Sequence, residues 1–251
     1  MQKNNTSWGG VAPWYNKIVG VAGHYYHEKV IFPNLKKLYT PKSNDNILDL
    51  GCGQGVYARL LPNSVSYTGI DLSKELIAQA KKLDNNRAHQ YYVADATLPL
   101  PVPAGTFDVA ISILALQNIK ESSLAISNMA GAVRPGGKII MVLNHPAYRI
   151  PRQSSWEVDE KNQLEYRRVN RYMSPLEIPI NAHPGIKNSQ VTWTYHNPIS
   201  YYTKALADSG CVIANIEEWV SDKESQGKAK KMENRARAEF PLFLSIVAIK
   251  N

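Results

Sequence analysis

The sequence predicts an α/β fold, a mainly parallel sheet wound with helices on both faces, and three observations predict it. Short apolar runs that suit strands buried on both faces recur at residues 47–50, 65–70, 88–93, 107–114 and 139–143. Between them lie segments with apolar residues at helical spacing, such as Leu76, Ile77, Ala80 and Leu83, then Ile126, Met129, Ala130 and Val133. The first strand runs directly into a glycine-rich turn, the feature around which the rest of the chain is organised.

That stretch reads Ile47-Leu48-Asp49-Leu50-Gly51-Cys52-Gly53-Gln54-Gly55. Glycines let the backbone enter conformations closed to other residues and let a ligand lie against it. A helix is expected to start near Gly55, continuing through Val56, Tyr57, Leu60 and Leu61, so that its free N–H groups favour an anion at the same place. The second strand closes on Gly69-Ile70-Asp71-Leu72-Ser73; an acidic residue about 20 positions past the first glycine is where a nucleotide fold holds a ribose, because a carboxylate accepts from both hydroxyls. Ser73 suits the cap of the next helix.

The third strand ends in Ala94-Asp95-Ala96, and Leu98-Pro99-Leu100-Pro101 comes soon after. The fourth begins Phe107-Asp108-Val109 and ends near Leu114, after which Asn118 suits a helix cap. Val133-Arg134-Pro135-Gly136-Gly137-Lys138 then stops a helix and launches the fifth strand. Ligands in such sheets bind beyond the carboxyl ends of the strands, which gathers residues 51–55, Asp71, Asp95, Gln117 and Asn144 around one crevice.

Before this core, residues 1–12 read as disordered or loosely attached, and residues 14–38 are aromatic and helical: Trp14, Tyr15, Ile18, Val19, then Tyr25, Tyr26, Val30, Ile31, Leu35 and Leu38, with Pro33 set to kink or divide the second part. His24 and His27 read as surface residues. After the fifth strand, residues 146–198 read as a small β-rich cap over the crevice, since Val191-Thr192-Trp193-Thr194-Tyr195 alternates as a half-buried strand. A helix near 200–209 and strands at 212–219 and 243–249 complete the sheet. Between those strands runs a segment carrying Lys228, Lys230, Lys231, Arg235 and Arg237. The expected division is therefore a lid segment at 1–39 and a main domain at 40–251 that contains the cap.

Bulk properties bound the function classes. The chain has 251 residues, 44% of them hydrophobic and 20% charged, which fits one globular domain with insertions and excludes a disordered chain. The longest apolar run, residues 109–116 apart from Ser112, is far too short to cross a membrane. The opening Met1-Gln2-Lys3-Asn4-Asn5-Thr6 lacks the apolar core of a signal peptide, so a cytoplasmic location is the expectation. Cys52 and Cys211 are the two cysteines, expected as free thiols with no metal set. The net charge of +8 invites an anionic partner, or else marks a lysine-rich surface, which is favoured because no long basic block appears.

Taken in order, Asp49-Leu50-Gly51-Cys52-Gly53-Gln54-Gly55, Asp71, Ala94-Asp95-Ala96, Phe107-Asp108-Val109 and Arg134-Pro135-Gly136-Gly137 resemble the class I S-adenosylmethionine-dependent methyltransferases, firmly over about residues 40–145 and loosely over the last 50 or so. The resemblance implies a Rossmann-like sheet with an antiparallel last strand, and S-adenosylmethionine as cofactor. It implies that Asp49 and the turn (Gly51, Cys52, Gly53) hold the amino acid end of the cofactor. Asp71 with Leu72 would hold its ribose side, Asp95 and Ala96 the adenine edge, and Ile113 and Leu114 would line the adenine and methyl-donor pocket. For Ile113 and Leu114, plain core packing is an equal reading. The segment Trp14-Tyr15-Asn16-Lys17 resembles the start of an N-terminal lid, which would bring Tyr15 and Tyr26 towards the cofactor.

Methyl transfer is an in-line displacement, so positioning alone supplies on the order of 7–11 kcal/mol. A base adds about 10²–10⁴-fold when the acceptor carries a proton. His145 is the candidate base, because it comes directly after a core strand at the ligand end; hydrogen bonding within its loop is the alternative. Arg149 and Arg152 suit a carboxylate or phosphate clamp, or salt bridges to Glu157, Asp159 or Glu160. Asn144, Tyr148 and Trp156 suit the acceptor wall. Three functions compete: a methyltransferase acting on O or N of a small, in some cases anionic, acceptor; an RNA-modifying methyltransferase; and a non-catalytic cofactor-binding module. The Asn-Pro-Pro-Tyr signature of amino-directed nucleic acid methyltransferases is missing after the fourth strand, where Ile-Leu-Ala-Leu-Gln stands, so the first is preferred.

Overall fold

The computed structural model describes residues 8–12, 19–20, 23–181 and 191–251. Trp14, Tyr15 and Ile18 of the expected lid lie outside them. A π-helical turn, His27–Ile31, runs into α1 (Phe32–Leu38). The chain then alternates β1 (Asn46–Leu50), β2 (Ser66–Asp71), α2 (Lys74–Leu83), β3 (His89–Val93), β4 (Phe107–Ile113), α3 (Ser122–Ala132) and β5 (Val133–Asn144). Two hairpins come next, β6 (Ser154–Asp159) with β7 (Leu164–Val169), and β8 (Leu176–Asn181) with β9 (Val191–His196). The chain closes with α4 (Ile199–Asp208), β10 (Cys211–Trp219), α5 (Lys230–Glu239) and β11 (Phe243–Lys250).

Seven strands form one sheet in the order β10-β11-β5-β4-β1-β2-β3. The pairs from β5 to β3 are parallel, whereas β11 runs antiparallel between β5 and β10. The doubly wound sheet with an antiparallel last strand is thus as expected. Successive residues of a strand point to opposite faces. Leu48, Ala110, Ile139 and Met141 pack with Ala125, Ile126 and Met129 of α3 and Tyr202 and Leu206 of α4. Their neighbours Ile47, Val109, Ile111 and Ile140 pack on the other side with Leu35, Tyr57, Ile77 and Ala80. Both faces are buried, so the strands carry no polar alternation. Each fully buried Leu or Ile contributes about 1.5–3 kcal/mol.

The segment after β1 differs from expectation. No α-helix starts at Gly55; turns lead into a single 3-10 turn, Ala58–Leu60. Gly55 adopts a left-handed φ of 71°, which a right-handed helix does not accept. Arg59 Nη1 donates to the Gln54 and Gly55 carbonyls at 2.6 and 3.0 Å, replacing the helical bonds those carbonyls would accept. The turn therefore presents no α-helix N-terminus to an anion, contrary to expectation. Ser73 does cap α2, its hydroxyl accepting from Leu76 N at 3.1 Å. Asn118 does not cap α3; its side chain donates to Leu114 O at 3.3 Å.

The recognised motifs divide between the two ends of the sheet. Asp108 and Arg134 sit at the end away from the crevice, where Arg134 Nε donates to Asp108 Oδ1 at 2.8 Å and Asn46 N donates to Oδ2 at 2.8 Å. A Cβ on Gly137 would stand 2.5 Å from Val133 Cγ1 and 2.8 Å from Asp108 O, so this glycine serves packing. The Phe-Asp-Val and Arg-Pro-Gly-Gly pieces therefore hold β4 to β5 and leave ligand chemistry to the other end.

Candidate functional site

At the carboxyl end of the parallel strands, Asp49 is almost fully buried at 3% exposure. Tyr67 donates to its Oδ2 at 2.7 Å, while Oδ1 has no partner. Burial pushes this carboxyl up to about 7 against the hydrogen bond from Tyr67, which lowers it, with the nearby Asp71 charge adding to the rise. An orphaned buried carboxylate oxygen costs about 1–3 kcal/mol and fits a site completed by a cationic donor. The adjoining turn bends through positive φ at Gly51, Gly53 and Gly55. Cys52 turns inward beneath Gly69, so any ligand contact it makes runs through its backbone.

Asp71, at the end of β2, organises the same turn. Its Oδ2 accepts from Gly53 N at 2.9 Å and its Oδ1 from Ser73 N at 2.8 Å. Burial raises its pKa, and these backbone bonds oppose the rise. Each oxygen keeps a lone pair for a ribose hydroxyl. Leu72 beside it is 41% exposed, an apolar side chain left open at the crevice. Asp95 spends Oδ1 on Thr97, through its N–H and its hydroxyl, and no protein donor reaches Oδ2 among the described residues. The carbonyls of Ala96 and Leu98 both accept from Asn128 Nδ2 at 2.8 Å, a brace from α3 with no counterpart in the sequence pattern.

Ile113 ends β4 and Leu114 follows it, both half-buried. Leu114 has φ 54°, a left-handed conformation that costs a bulky residue about 1–3 kcal/mol. Three bonds hold it there: Leu114 N donates to Val142 O at 2.8 Å, and Leu114 O accepts from Gln117 Nε2 at 2.8 Å and from Asn118. Tyr26 packs into the same apolar cluster as Ile113 and Leu114, edge-on to Phe243 at 5.7 Å. The N-terminal segment is fastened there from two sides. Gln54 Nε2 donates to Gly20 O at 2.8 Å, and Tyr25 OH to Asp222 at 2.9 Å, while Lys223 lies over the Tyr25 and Tyr26 rings. His27 is not a surface residue: it stacks on Phe32, and burial lowers its pKa to about 4.

His145, the expected base, is 1% exposed with both ring nitrogens engaged. Nδ1 accepts from Ala147 N at 3.2 Å and Tyr148 N at 3.4 Å, which fixes the proton on Nε2 for donation to Glu218 at 2.6 Å. Burial lowers its pKa against the pull of Glu218. A general base needs a lone pair facing the acceptor, and this one faces its own loop, so the loop-binding alternative fits the geometry. His145→Ala should lower stability by about 1–3 kcal/mol in a denaturant titration and leave the pH profile of turnover unchanged. Loss of an acidic limb from that profile would return His145 to the role of base.

The remaining acceptor residues separate. Asn144 and Arg149 meet: Arg149 Nη1 donates to Asn144 Oδ1 at 2.6 Å, with its guanidinium 5.1 Å above the Phe243 ring. Arg152 is exposed and donates to Pro179 O at 2.8 Å, tying one hairpin to the other and leaving the crevice. Tyr148 lies tilted over His145 and edge-on to Phe240, and Trp156 lies between Phe240 and Arg167, so both wall the junction of the first hairpin with the end of α5. The second hairpin closes over the end of β4 instead. Thr194 Oγ1 donates to Gln117 O at 3.0 Å, and Lys120 pairs with Glu177 at 2.6 Å. The basic residues around α5 are likewise divided, with Arg235 bound to Gln163 O and Arg237 to Ser225 Oγ.

Comparison with known proteins agrees with this geometry. A family described as a methyltransferase domain matches residues 48–141. An uncharacterized methyltransferase of Mycobacterium tuberculosis is 27% identical over 118 residues, 47% of this chain and 59% of that protein. The malonyl-[acyl-carrier protein] O-methyltransferase of Salmonella typhimurium is 37% identical over 106 residues, 42% of this chain and 41% of that protein. The chain thus spans about half the length of these curated relatives. The crystal structure of an S-adenosylmethionine-dependent methyltransferase from Mesorhizobium loti is 26% identical, with a TM-score of 0.68 over 87% of this chain and 97% of that one. A turn that offers no helix N-terminus to a pyrophosphate, but an unpaired buried carboxylate oxygen, suits a cofactor with a cationic amino acid end. Residues 48–141 thus form a methyltransferase domain, in a fold shared with S-adenosylmethionine-dependent methyltransferases.

Proposed function

We propose that this protein transfers a methyl group from S-adenosylmethionine to an oxygen or nitrogen of a small-molecule acceptor. The observation that carries the cofactor half is the orphaned Oδ1 of Asp49 at the mouth of the glycine turn. Bound there, S-adenosylmethionine supplies the activated methyl group on its sulfonium. Asp49 would hold its ammonium, Asp71 and Leu72 the ribose side, and Asp95 Oδ2 with the Ala96 backbone the adenine edge. Residues up to 39 act as a lid and residues 146–198 as a cap, with Tyr26 and the second hairpin walling the acceptor side. This enclosure favours a small acceptor over a polynucleotide. Because His145 is committed to its loop, the acceptor atom arrives already unprotonated, and the chain contributes positioning on the order of 7–11 kcal/mol.

Calorimetry should give micromolar binding of S-adenosylmethionine and S-adenosylhomocysteine; no binding of either, alongside tight nicotinamide dinucleotide binding, would refute the cofactor assignment. With labelled cofactor and a fractionated cell extract, label should enter the small-molecule fraction. Label in RNA, fading steeply between about 50 and 200 mM salt as phosphate contacts are lost, would move the acceptor to nucleic acid.

A further inference from the structure

Tyr67 is among the largest side chains buried completely in the fold, and its one polar atom is aimed at the Asp49 carboxyl. It stands on β2, two residues before Gly69, and its hydroxyl donates to Asp49 Oδ2 at 2.7 Å across the parallel pair of β1 and β2. Among the described residues this is the only hydrogen bond to the Asp49 side chain.

The ring cannot swing away from that bond. A Cβ on Gly69 would stand 2.8 Å from Cys52 Sγ, 2.9 Å from Tyr91 Cδ1 and 3.0 Å from Tyr67 Cε1, so three side chains close on the space this glycine leaves. The Tyr67 ring centroid lies 5.2 Å from that of His89 and 5.7 Å from that of Tyr91. Both neighbours are fastened in turn, since His89 Nδ1 and the Tyr91 hydroxyl donate to Asp84 Oδ2. A packed column thus runs from Asp84, just past α2, to Asp49.

The surroundings of Asp49 contain little else that changes charge near neutrality. Cys52 and Tyr57 face it from the glycine turn and the segment after it, Tyr67 and Asp71 from β2, and Tyr91 from β3. Burial pushes the Cys52 thiol and the three phenols up, so they stay neutral. Asp71 adds negative charge, which leaves the Tyr67 hydroxyl as the one group opposing the desolvation of the Asp49 carboxylate.

We propose that Tyr67 is a positioning residue of the cofactor site: by holding Oδ2 it fixes the rotation of the Asp49 carboxyl and leaves Oδ1 for the ammonium of the cofactor's amino acid end. The assignment rests on the proposed role of Asp49 as holder of that ammonium. The same bond favours the ionised carboxyl, because a donor stabilises a carboxylate more than the acid.

The test uses the full chain and Tyr67→Phe, each with and without Asp49→Asn. Calorimetry with S-adenosylhomocysteine between about pH 6 and 8.5 should show the midpoint of the affinity rise moving up by about one unit in Tyr67→Phe. Binding should then be about tenfold weaker than wild type at pH 6 and within about threefold of it at pH 8.5. In the Asp49→Asn background the sign should reverse. There Tyr67 holds the amide carbonyl and leaves the NH₂ to meet the ammonium; without the hydroxyl the amide can flip, and Tyr67→Phe should restore binding severalfold. A loss from Tyr67→Phe that is equal at both ends of the pH range, or a further loss on top of Asp49→Asn, would assign Tyr67 to packing and overturn the proposal. Carbon-13 NMR titration of the Asp49 carboxyl in the ligand-free protein separates the two levels. A midpoint that Tyr67→Phe leaves unmoved refutes the role of Tyr67 alone. A raised midpoint with no matching change in S-adenosylhomocysteine affinity refutes Asp49 as holder of the ammonium, and the proposal with it. If Tyr67→Phe fails to fold, 3-fluorotyrosine at position 67, a more acidic phenol and a stronger donor, should lower the Asp49 midpoint. A midpoint unmoved or raised by it would overturn the proposal.

Discussion

Asp49→Asn should weaken S-adenosylhomocysteine binding by about 10–100-fold at pH 8, while making the ligand-free protein harder to unfold at the same pH. The opposite signs come from one group. Burial holds the folded carboxyl at about 7, against 3.8 for an unperturbed aspartate. Folding therefore takes up a proton between these values. The associated stability is fully present below about pH 4 and is lost as pH rises through about 7. At pH 8 the folded chain carries a buried carboxylate with one unpaired oxygen, and a neutral amide relieves about 2–4 kcal/mol of that cost. The asparagine carbonyl can still accept from Tyr67, which leaves its NH₂ facing the ligand's ammonium where Oδ1 stood. Wild-type affinity should rise from pH 5.5 to about 7 and level off above, since a cationic ligand must displace the proton below that point. Asp49→Asn should show a flat profile over this range. Calorimetry across pH and a denaturant titration at pH 8 check both halves; equal affinity, or a variant less stable than wild type, would contradict the account.

Strands, turn and crevice walls are unequally visible in the sequence. Ile47, Leu48, Ile139 and Ile140 betray their strands because neighbours pack on opposite faces and none can be polar. Asp49 and the glycines are legible for a similar local reason, since turn and strand end lie within nine residues. The stretch from Val56 to Leu61 carries helical spacing yet forms no α-helix. Arg59 reaches back across the turn to take the carbonyls of Gln54 and Gly55, a competition that apolar spacing does not register. Beyond β5, proximity in sequence is a poor guide to proximity in space. Arg149 reaches the crevice, but Arg152 and Trp156 do not: the hairpin register sets Trp156 opposite Arg167 and beneath Phe240. Tyr195 is legible as part of a half-buried strand. The surface that strand covers depends on the bond from Thr194 to Gln117, 77 residues away, which no local pattern encodes.

Gly51→Ala should destabilise the protein by about 2–4 kcal/mol, and most of that loss should return when Ala115 is changed to glycine in the same chain. Gly51 sits at φ 78°, where any Cβ costs about 1 kcal/mol. That Cβ would also stand 2.3 Å from Ala115 Cβ, a contact no real pair of methyl carbons makes. Overpacking of this kind adds about 1–3 kcal/mol. The sequence alone suggests that a side chain at Gly51 acts by filling ligand space; the structure shows that it first strikes the protein. Relief is difficult nearby, because Leu114 is already held in a left-handed conformation by three hydrogen bonds and Gly51 N is bound to Ile70 O at 2.7 Å. Removing the Ala115 methyl leaves Ala115 Cα as the next neighbour at 3.7 Å, an ordinary contact, so the double variant should retain only the backbone cost. Gly105→Ala is the control: φ is 66° and its Cβ would meet nothing within 4 Å, so it should lose about 1 kcal/mol and no more. Denaturant titrations of the four variants give the coupling between positions 51 and 115 directly. A coupling near zero, or a Gly51→Ala loss no larger than that of Gly105→Ala, would mean that the β4 exit yields freely and does not pack tightly against the glycine turn.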